Sequence, residues 1–183
     1  HIYIDAGFRS LDRDPVRILE VGFGSGLNAL LTLQEAAASG RQVEYHTVEL
    51  YPVAERVVRS LGYDAYCSPG VYTGFLRMHA LPWDVAPVSI DNFFTFHKIN
   101  ADLQEVSLPV GIDLVYFDAF SPDTQPELWS RSVFERLYGA MNPGGVLVTY
   151  SAKGIVKQAL RDACFTVKRL PGALGKHHML RAV

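Results

Sequence analysis

Three acidic residues and one glycine turn carry the chemistry available to this sequence. Glu20-Val21-Gly22-Phe23-Gly24-Ser25-Gly26 closes an apolar run, turns on three glycines and opens a helical stretch. Free backbone N–H groups at such a turn, with no side chain to hold a ligand off, favour ligand binding there. Two familiar loops are excluded by spacing. A dinucleotide fingerprint needs a small residue three places after its second glycine, where this chain has Leu27, and no Gly-Lys-Ser/Thr follows to make a phosphate loop. Glu49 stands 23 residues beyond Gly26 at the end of the next apolar run, where a carboxylate can accept two hydrogen bonds from a ribose diol. Asp118 closes the apolar run from Ile112, between Phe117 and Phe120. A charge there is costly unless it is paired or functional, and the carboxyl ends of strands in open α/β sheets carry ligand sites. The structural alternatives are a tight turn for the glycines and a loop cap for Asp118.

Positioning these groups requires alternating strands and crossover helices, and from Val16 the chain has that rhythm. The pattern predicts strands at 16–21, 43–50, 93–99, 112–120 and 146–150. Helices are predicted from Leu27 to near Gly40, from Pro52 in a first turn to Leu61, over 127–141, and over 153–163. Asn142-Pro143-Gly144-Gly145 reads as a turn before the fifth strand. Residues 62–91 read as irregular around a short amphipathic piece at about 71–81, and such a length of chain tends to cap a site. Strands at 165–170 and 178–183 are joined too closely for a crossover helix and should be antiparallel neighbours. The expected fold is α/β: a mostly parallel doubly wound sheet with a carboxyl-terminal antiparallel strand pair, in a single domain over 1–183.

Composition narrows the function classes. A chain of 183 residues, 49% hydrophobic and 20% charged, is one globular domain and neither disordered nor fibrous. Cys67 and Cys164 are isolated, which fits reduced thiols in the cytoplasm better than a disulfide framework or zinc knuckles. His177 and His178 do not suggest a metal, since neighbours on a strand point to opposite faces. No apolar run reaches the ~18 residues of a membrane span. Charge is polarised: residues 1–150 hold 10 Lys/Arg against 18 Asp/Glu, and residues 151–183 hold 7 basic residues against Asp162 alone. A basic tail of this kind can mark a phosphate or nucleic-acid site, or simply a solvated surface.

The acid placed two residues before G-x-G-x-G is similar to motif I of class I S-adenosylmethionine-dependent methyltransferases. A narrower resemblance covers nearly the whole chain. EVGFGSGLN (20–28), FDAFSPDTQPELW (117–129), NPGGVLVTYSAKG (142–154) and LPGALGKHHMLRA (170–182) resemble the MnmC-type methyltransferases that finish 5-methylaminomethyl-2-thiouridine at the tRNA wobble position. The resemblance implies a Rossmann-like class I fold, S-adenosylmethionine as donor and S-adenosylhomocysteine as product. It implies donor contacts from Glu20, Gly22, Phe23, Gly24, Gly26, Leu27 and Asn28, with Glu49 on the ribose. Asp102 takes the position that contacts the adenine amine, and it serves equally as an N-cap. Asp118 is carried over as the catalytic or acceptor-positioning residue, with Phe120, Ser121 and Pro122 beside it on the substrate side. The implied reaction converts 5-aminomethyl-2-thiouridine to 5-methylaminomethyl-2-thiouridine. Lys153, Lys157, Arg161 and Lys176 are candidates for tRNA phosphates, because Lys157 and Arg161 share a helix face and Lys153 follows the fifth strand.

With no second glycine fingerprint for FAD, the chain resembles the stand-alone form of the family. Its implied partners are tRNA and either a separate flavin-dependent oxidase or the upstream wobble-uridine modification enzymes, with no membrane partner. Family members carry a segment ahead of the H-x-Y/F-I-x-A-G stretch found here at 1–7, so a short amino-terminal segment of the full protein is expected to be absent. The rival enzymes are a spermidine synthase-like aminopropyltransferase and another class I small-molecule methyltransferase. A Gly-Gly-Gly-Asp-Gly turn would suit the first, and this chain has Gly-Phe-Gly-Ser-Gly. A non-enzymatic binding scaffold is the rival of another class, disfavoured by intact Glu20, Glu49 and Asp118.

Overall fold

The structure, a computed structural model, describes residues 2–172 and 178–183. Its strands are β1 (Val16–Val21), β2 (Val43–Val48), β3 (Val88–Ser89), β4 (Phe94–Ile99), β5 (Ile112–Phe117), β6 (Met141–Thr149), β7 (Val167–Leu170) and β8 (Met179–Ala182). They form one sheet in the order β3-β4-β2-β1-β5-β6-β8-β7. The pairings β4-β2, β2-β1, β1-β5 and β5-β6 are parallel, whereas β3 pairs antiparallel with β4, and β8 with both β6 and β7. The expected carboxyl-terminal antiparallel pair is present. β3 is an addition that two residues could not signal.

The helices are α1 (Ile2–Ala6), α2 (Leu27–Ser39), α3 (Glu55–Arg59), α4 (Pro69–Ala80), α5 (Arg131–Ala140) and α6 (Gly154–Asp162). They cover both sheet faces. Val16 and Ile18 pack with Ala29, Leu30 and Leu33 of α2 and with Phe75 and Met78 of α4. Leu19 and Val21, pointing the other way, pack with Phe134 and Leu137 of α5 and with Val156 and Leu160 of α6. Burial on both faces explains why β1 reads as a continuous apolar run.

Four expected elements are corrected. Pro52 precedes α3 instead of entering its first turn, and the helix is only five residues long. Of the periodic valines and leucine there, Val58 is buried while Val57 and Leu61 are exposed, so little packing supports a longer helix. Residues 62–91 are more regular than expected, because Ser68 caps α4 through its Oγ and Pro69 occupies the first turn. The expected helix at 127–141 divides at Ser130, whose backbone is extended, into a 3-10 turn (Pro126–Trp129) and α5. Asn142 to Gly145 lie inside β6, where the register against β5 shifts between Ile112 and Leu114, so they form an irregularity within the strand. Cys67 and Cys164 are free thiols. Among the described residues, no helix is long and apolar enough to cross a membrane.

Candidate active site

Strand order reverses between β1 and β5: the chain proceeds from β1 to β2 and β4 on one side, and from β5 to β6 on the other. The two βα connections part at their carboxyl ends and leave a crevice. A cavity of about 730 Å³ lies there, within the range of small-molecule sites. Gly22 lets it form. Its φ is +87°, and a Cβ would stand 2.7 Å from the Asp118 carbonyl oxygen, so only glycine brings the turn against the end of β5. At Gly24 (φ +51°) a Cβ would meet nothing within 4 Å, which leaves the turn's backbone open to the cavity.

One side of the cavity is organised by Glu49. Its Oε2 accepts the Gly24 N–H at 3.0 Å and its Oε1 accepts the Tyr51 N–H at 2.8 Å. Each carboxylate oxygen accepts more than one bond, so a ligand hydroxyl can still be taken. Asp102 borders the same cavity while its Oδ1 accepts the Gln104 N–H at 2.8 Å, so it caps its turn and faces the ligand space together. Phe23, Leu27 and Asn28 also border the cavity.

On the opposite wall, Asp118 Oδ1 accepts from the Tyr3 hydroxyl at 2.8 Å and Oδ2 from Asn28 Nδ2 at 2.9 Å. The loop that follows is pinned by its carbonyls. Tyr150 Oη donates to Ala119 O at 3.0 Å and Trp129 Nε1 to Phe120 O at 2.9 Å, and Phe120 itself is 58% exposed at the cavity. Ser121 lines the cavity too, with its hydroxyl bonded to that of Thr124. Pro122 is buried and does not.

Glu20 and Gly26 are placed apart from the cavity. Gly26 is the left-handed N-cap of α2. Glu20 alternates onto the α2 face of β1 and is fully buried, with Oε1 accepting from Asn28 Nδ2 at 3.0 Å. Burial pushes its carboxyl well above the usual range; the Asn28 bond opposes this, and the charge of Asp118 adds to it. The protonated form is therefore favoured in the folded protein, giving stability that is full below the unfolded pKa and is lost as pH rises toward the folded one. Glu20→Gln keeps the shape and cannot ionise. Thermal denaturation should show the variant gaining on the parent as pH rises from 4.5 to 8, by up to about 1.4 kcal/mol per pH unit in the titrating window. A difference in melting midpoint that stays constant with pH would mean that Glu20 is ionised.

The irregular segment does not cap the site, since no residue from 62–91 borders the cavity. Phe75 and Met78 of α4 instead fill the core against the sheet, and that burial is what positions the helix. The basic candidates also lie outside the cavity. Lys153 is paired with Asp123, Lys157 is half-buried, and Arg161 is exposed on α6. Lys176 lies outside the described residues, as does His177. Sequence reasoning missed Tyr3, Tyr51 and Tyr150. Tyr150 follows β6 at the same edge as Asp118, a position that the sheet-edge rule would have found; Tyr3 carried no comparable signal. Among the described residues no group of three or more His, Cys, Asp and Glu is arranged to hold a metal.

A sequence model of the family described as S-adenosyl-L-methionine-dependent methyltransferase matches residues 78–183. The chain is 28% identical over 186 residues to the tRNA 5-methylaminomethyl-2-thiouridine biosynthesis bifunctional protein MnmC of Marinomonas sp. (strain MWYL1), covering 93% of this chain and 26% of that protein. It is 31% identical over 175 residues to the protein of the same name from Ralstonia nicotianae, covering 88% and 26%. It thus spans about a quarter of the length of these relatives. Among solved structures, MNMC2 from Aquifex aeolicus superposes with a TM-score of 0.72 at 22% identity, over 98% of this chain and 56% of that one. The glycopeptide N-methyltransferase MtfA superposes at 0.58 with 15% identity, over 92% and 80%.

Proposed function

The chain belongs to the S-adenosyl-L-methionine-dependent methyltransferase family, and from that premise we propose that it methylates an amine on the wobble uridine of tRNA in the cytoplasm. The reaction is conversion of 5-aminomethyl-2-thiouridine to 5-methylaminomethyl-2-thiouridine. The observation that carries this reading is that Glu49 and Asp118 face one cavity from opposite sides of the Gly22 turn. The residues fit the donor. The open backbone at Gly24, the half-used acceptor capacity of Glu49 and the placement of Asp102 suit an amino-acid end, a ribose and an adenine. When bound, the donor supplies an electrophilic sulfonium methyl group and leaves as S-adenosylhomocysteine.

The chain's own residues then do three things. Asp118 attracts the acceptor ammonium, accepts its proton and orients the freed lone pair. Phe120 offers an exposed ring on which an unstacked base can lie. Ala119, Phe120 and Leu128 give the cavity an apolar wall, and a low-dielectric wall strengthens the carboxylate's hold on the amine. A flavin-dependent oxidase acting on the same nucleoside is the partner activity in this reading, and the relatives are named as bifunctional proteins.

The direct test supplies S-adenosylmethionine with undermodified tRNA in one arm, and decarboxylated donor with putrescine in the other. Methyl transfer to tRNA alone is expected. Aminopropyl transfer would favour the spermidine synthase-like rival. For tRNA binding, replacing Lys157 and Arg161 by alanine should flatten the dependence of log affinity on log salt by about 1.4–1.8, at roughly 0.7–0.9 per phosphate contact. Lys153 should add less, because Asp123 already takes part of its charge. An unchanged slope between 50 and 200 mM salt would place tRNA on another face.

A further inference from the structure

We infer that Tyr3, supplied by the amino-terminal helix, is a positioning residue for Asp118: the phenol holds Oδ1 while the Asn28 amide holds Oδ2, so the carboxylate meets the acceptor amine in one orientation. This rests on Asp118 being the acceptor residue. Tyr3 lies far outside the stretch matched by the family model, which begins at residue 78.

The phenol is built into place. Tyr3 is 3% exposed yet borders the cavity. Its ring stands edge-on to Tyr116 at 5.4 Å between centroids, and its hydroxyl also lies 3.2 Å from Phe117 O. The bond to Asp118 Oδ1 is shorter, at 2.8 Å, an ordinary length for an O–H···O bond. Gly7 lets α1 sit this close to the sheet. A Cβ there would stand 2.3 Å from Tyr3 O and 3.0 Å from the Tyr116 ring. Burial first, and the charge of Asp118 second, push the phenol well above its ordinary value, so it remains a proton donor across the physiological range.

The second oxygen is held as firmly. Asn28 Nδ2 carries two hydrogens; one goes to Glu20 Oε1 at 3.0 Å and the other to Asp118 Oδ2 at 2.9 Å. With both ends of the fork engaged, the amide has one orientation. A carboxylate restrained on both oxygens loses little freedom when the amine arrives, so its geometry is ready in advance. Both donors also favour the ionised carboxylate, the form that can receive a proton.

The test is Tyr3→Phe, which keeps the ring and removes one hydroxyl. Donor affinity, measured by calorimetry, should stay within about twofold. Turnover should fall on the order of tenfold, with little change in KM for tRNA, as expected for one charge-assisted bond acting in the transition state. Carbon-13 NMR of labelled aspartates, assigned with Asp118→Asn, should show the Asp118 carboxyl titrating about one pH unit higher in Tyr3→Phe. In the Asp118→Asn background, Tyr3→Phe should cost nothing further. An unmoved titration, or a full tenfold loss added on top of Asp118→Asn, would overturn the inference. Should Asp118→Asn itself turn over normally, the acceptor reading fails, and the titration still decides whether Tyr3 acts on Asp118.

Discussion

Asp118→Asn should lower methyl transfer to tRNA by about 100- to 10,000-fold, the usual contribution of a positioned acid–base group. Asparagine keeps the shape and can still accept one hydrogen bond, so α1 and the loop that follows should stay in place. What it removes is the negative charge that draws in an ammonium and the oxygen that takes its proton. Donor affinity should change little, because Glu49 is held by the Gly24 and Tyr51 N–H groups and not through the Asp118 side chain. The comparison needs single-turnover rates with saturating tRNA alongside donor titration. A variant that transfers methyl at close to the normal rate would remove Asp118 from the chemistry.

Glu49→Ala should weaken donor binding by at least ten- to a hundredfold, since a hydrogen bond to a charged group is worth about 1.5–3 kcal/mol. Its carboxylate has a second task. It accepts the N–H groups of Gly24 and Tyr51, so its loss also frees the turn that frames the cavity. Gly24→Val approaches the same site by another route. The side chain would occupy space that is open now, on a backbone at φ +51° that β-branched residues avoid. Isothermal titration with S-adenosylmethionine measures both, and circular dichroism checks that the fold persists. Full affinity in both variants would place the donor elsewhere.

Much of this arrangement was legible in the sequence, for physical reasons that differ by element. β1 and β5 are buried on both faces, so their apolar runs stand out against any neighbour. The glycine turn announced itself because three glycines in five residues have few other uses between a strand and a helix. Asp118 was visible as a charge ending a buried strand. By contrast, α1 is five residues long, too short to show a helical period, and tertiary contacts fix it, among them the packing of Tyr3 on Tyr116 and its bond to Asp118. That is why Tyr3 went unseen. The depth of Glu20 was hidden for another reason: an acid two residues before a glycine turn reads alike whether it faces the ligand or the α2 interface. The face it takes follows from the strand's alternation, which spacing alone does not orient. The site expected to be capped by 62–91 is instead bordered by the amino-terminal helix, a contact between chain segments more than a hundred residues apart.

The most direct measurement is nucleoside mass spectrometry of tRNA carrying 5-aminomethyl-2-thiouridine after incubation with this protein and methyl-labelled S-adenosylmethionine. The expected result is conversion of that nucleoside into labelled 5-methylaminomethyl-2-thiouridine, with one methyl per wobble position and initial labelling slowed at least about a hundredfold when Asp118→Asn replaces the parent protein. Label on any other nucleoside, or an unchanged aminomethyl peak in the presence of protein shown to bind the donor, would contradict the account.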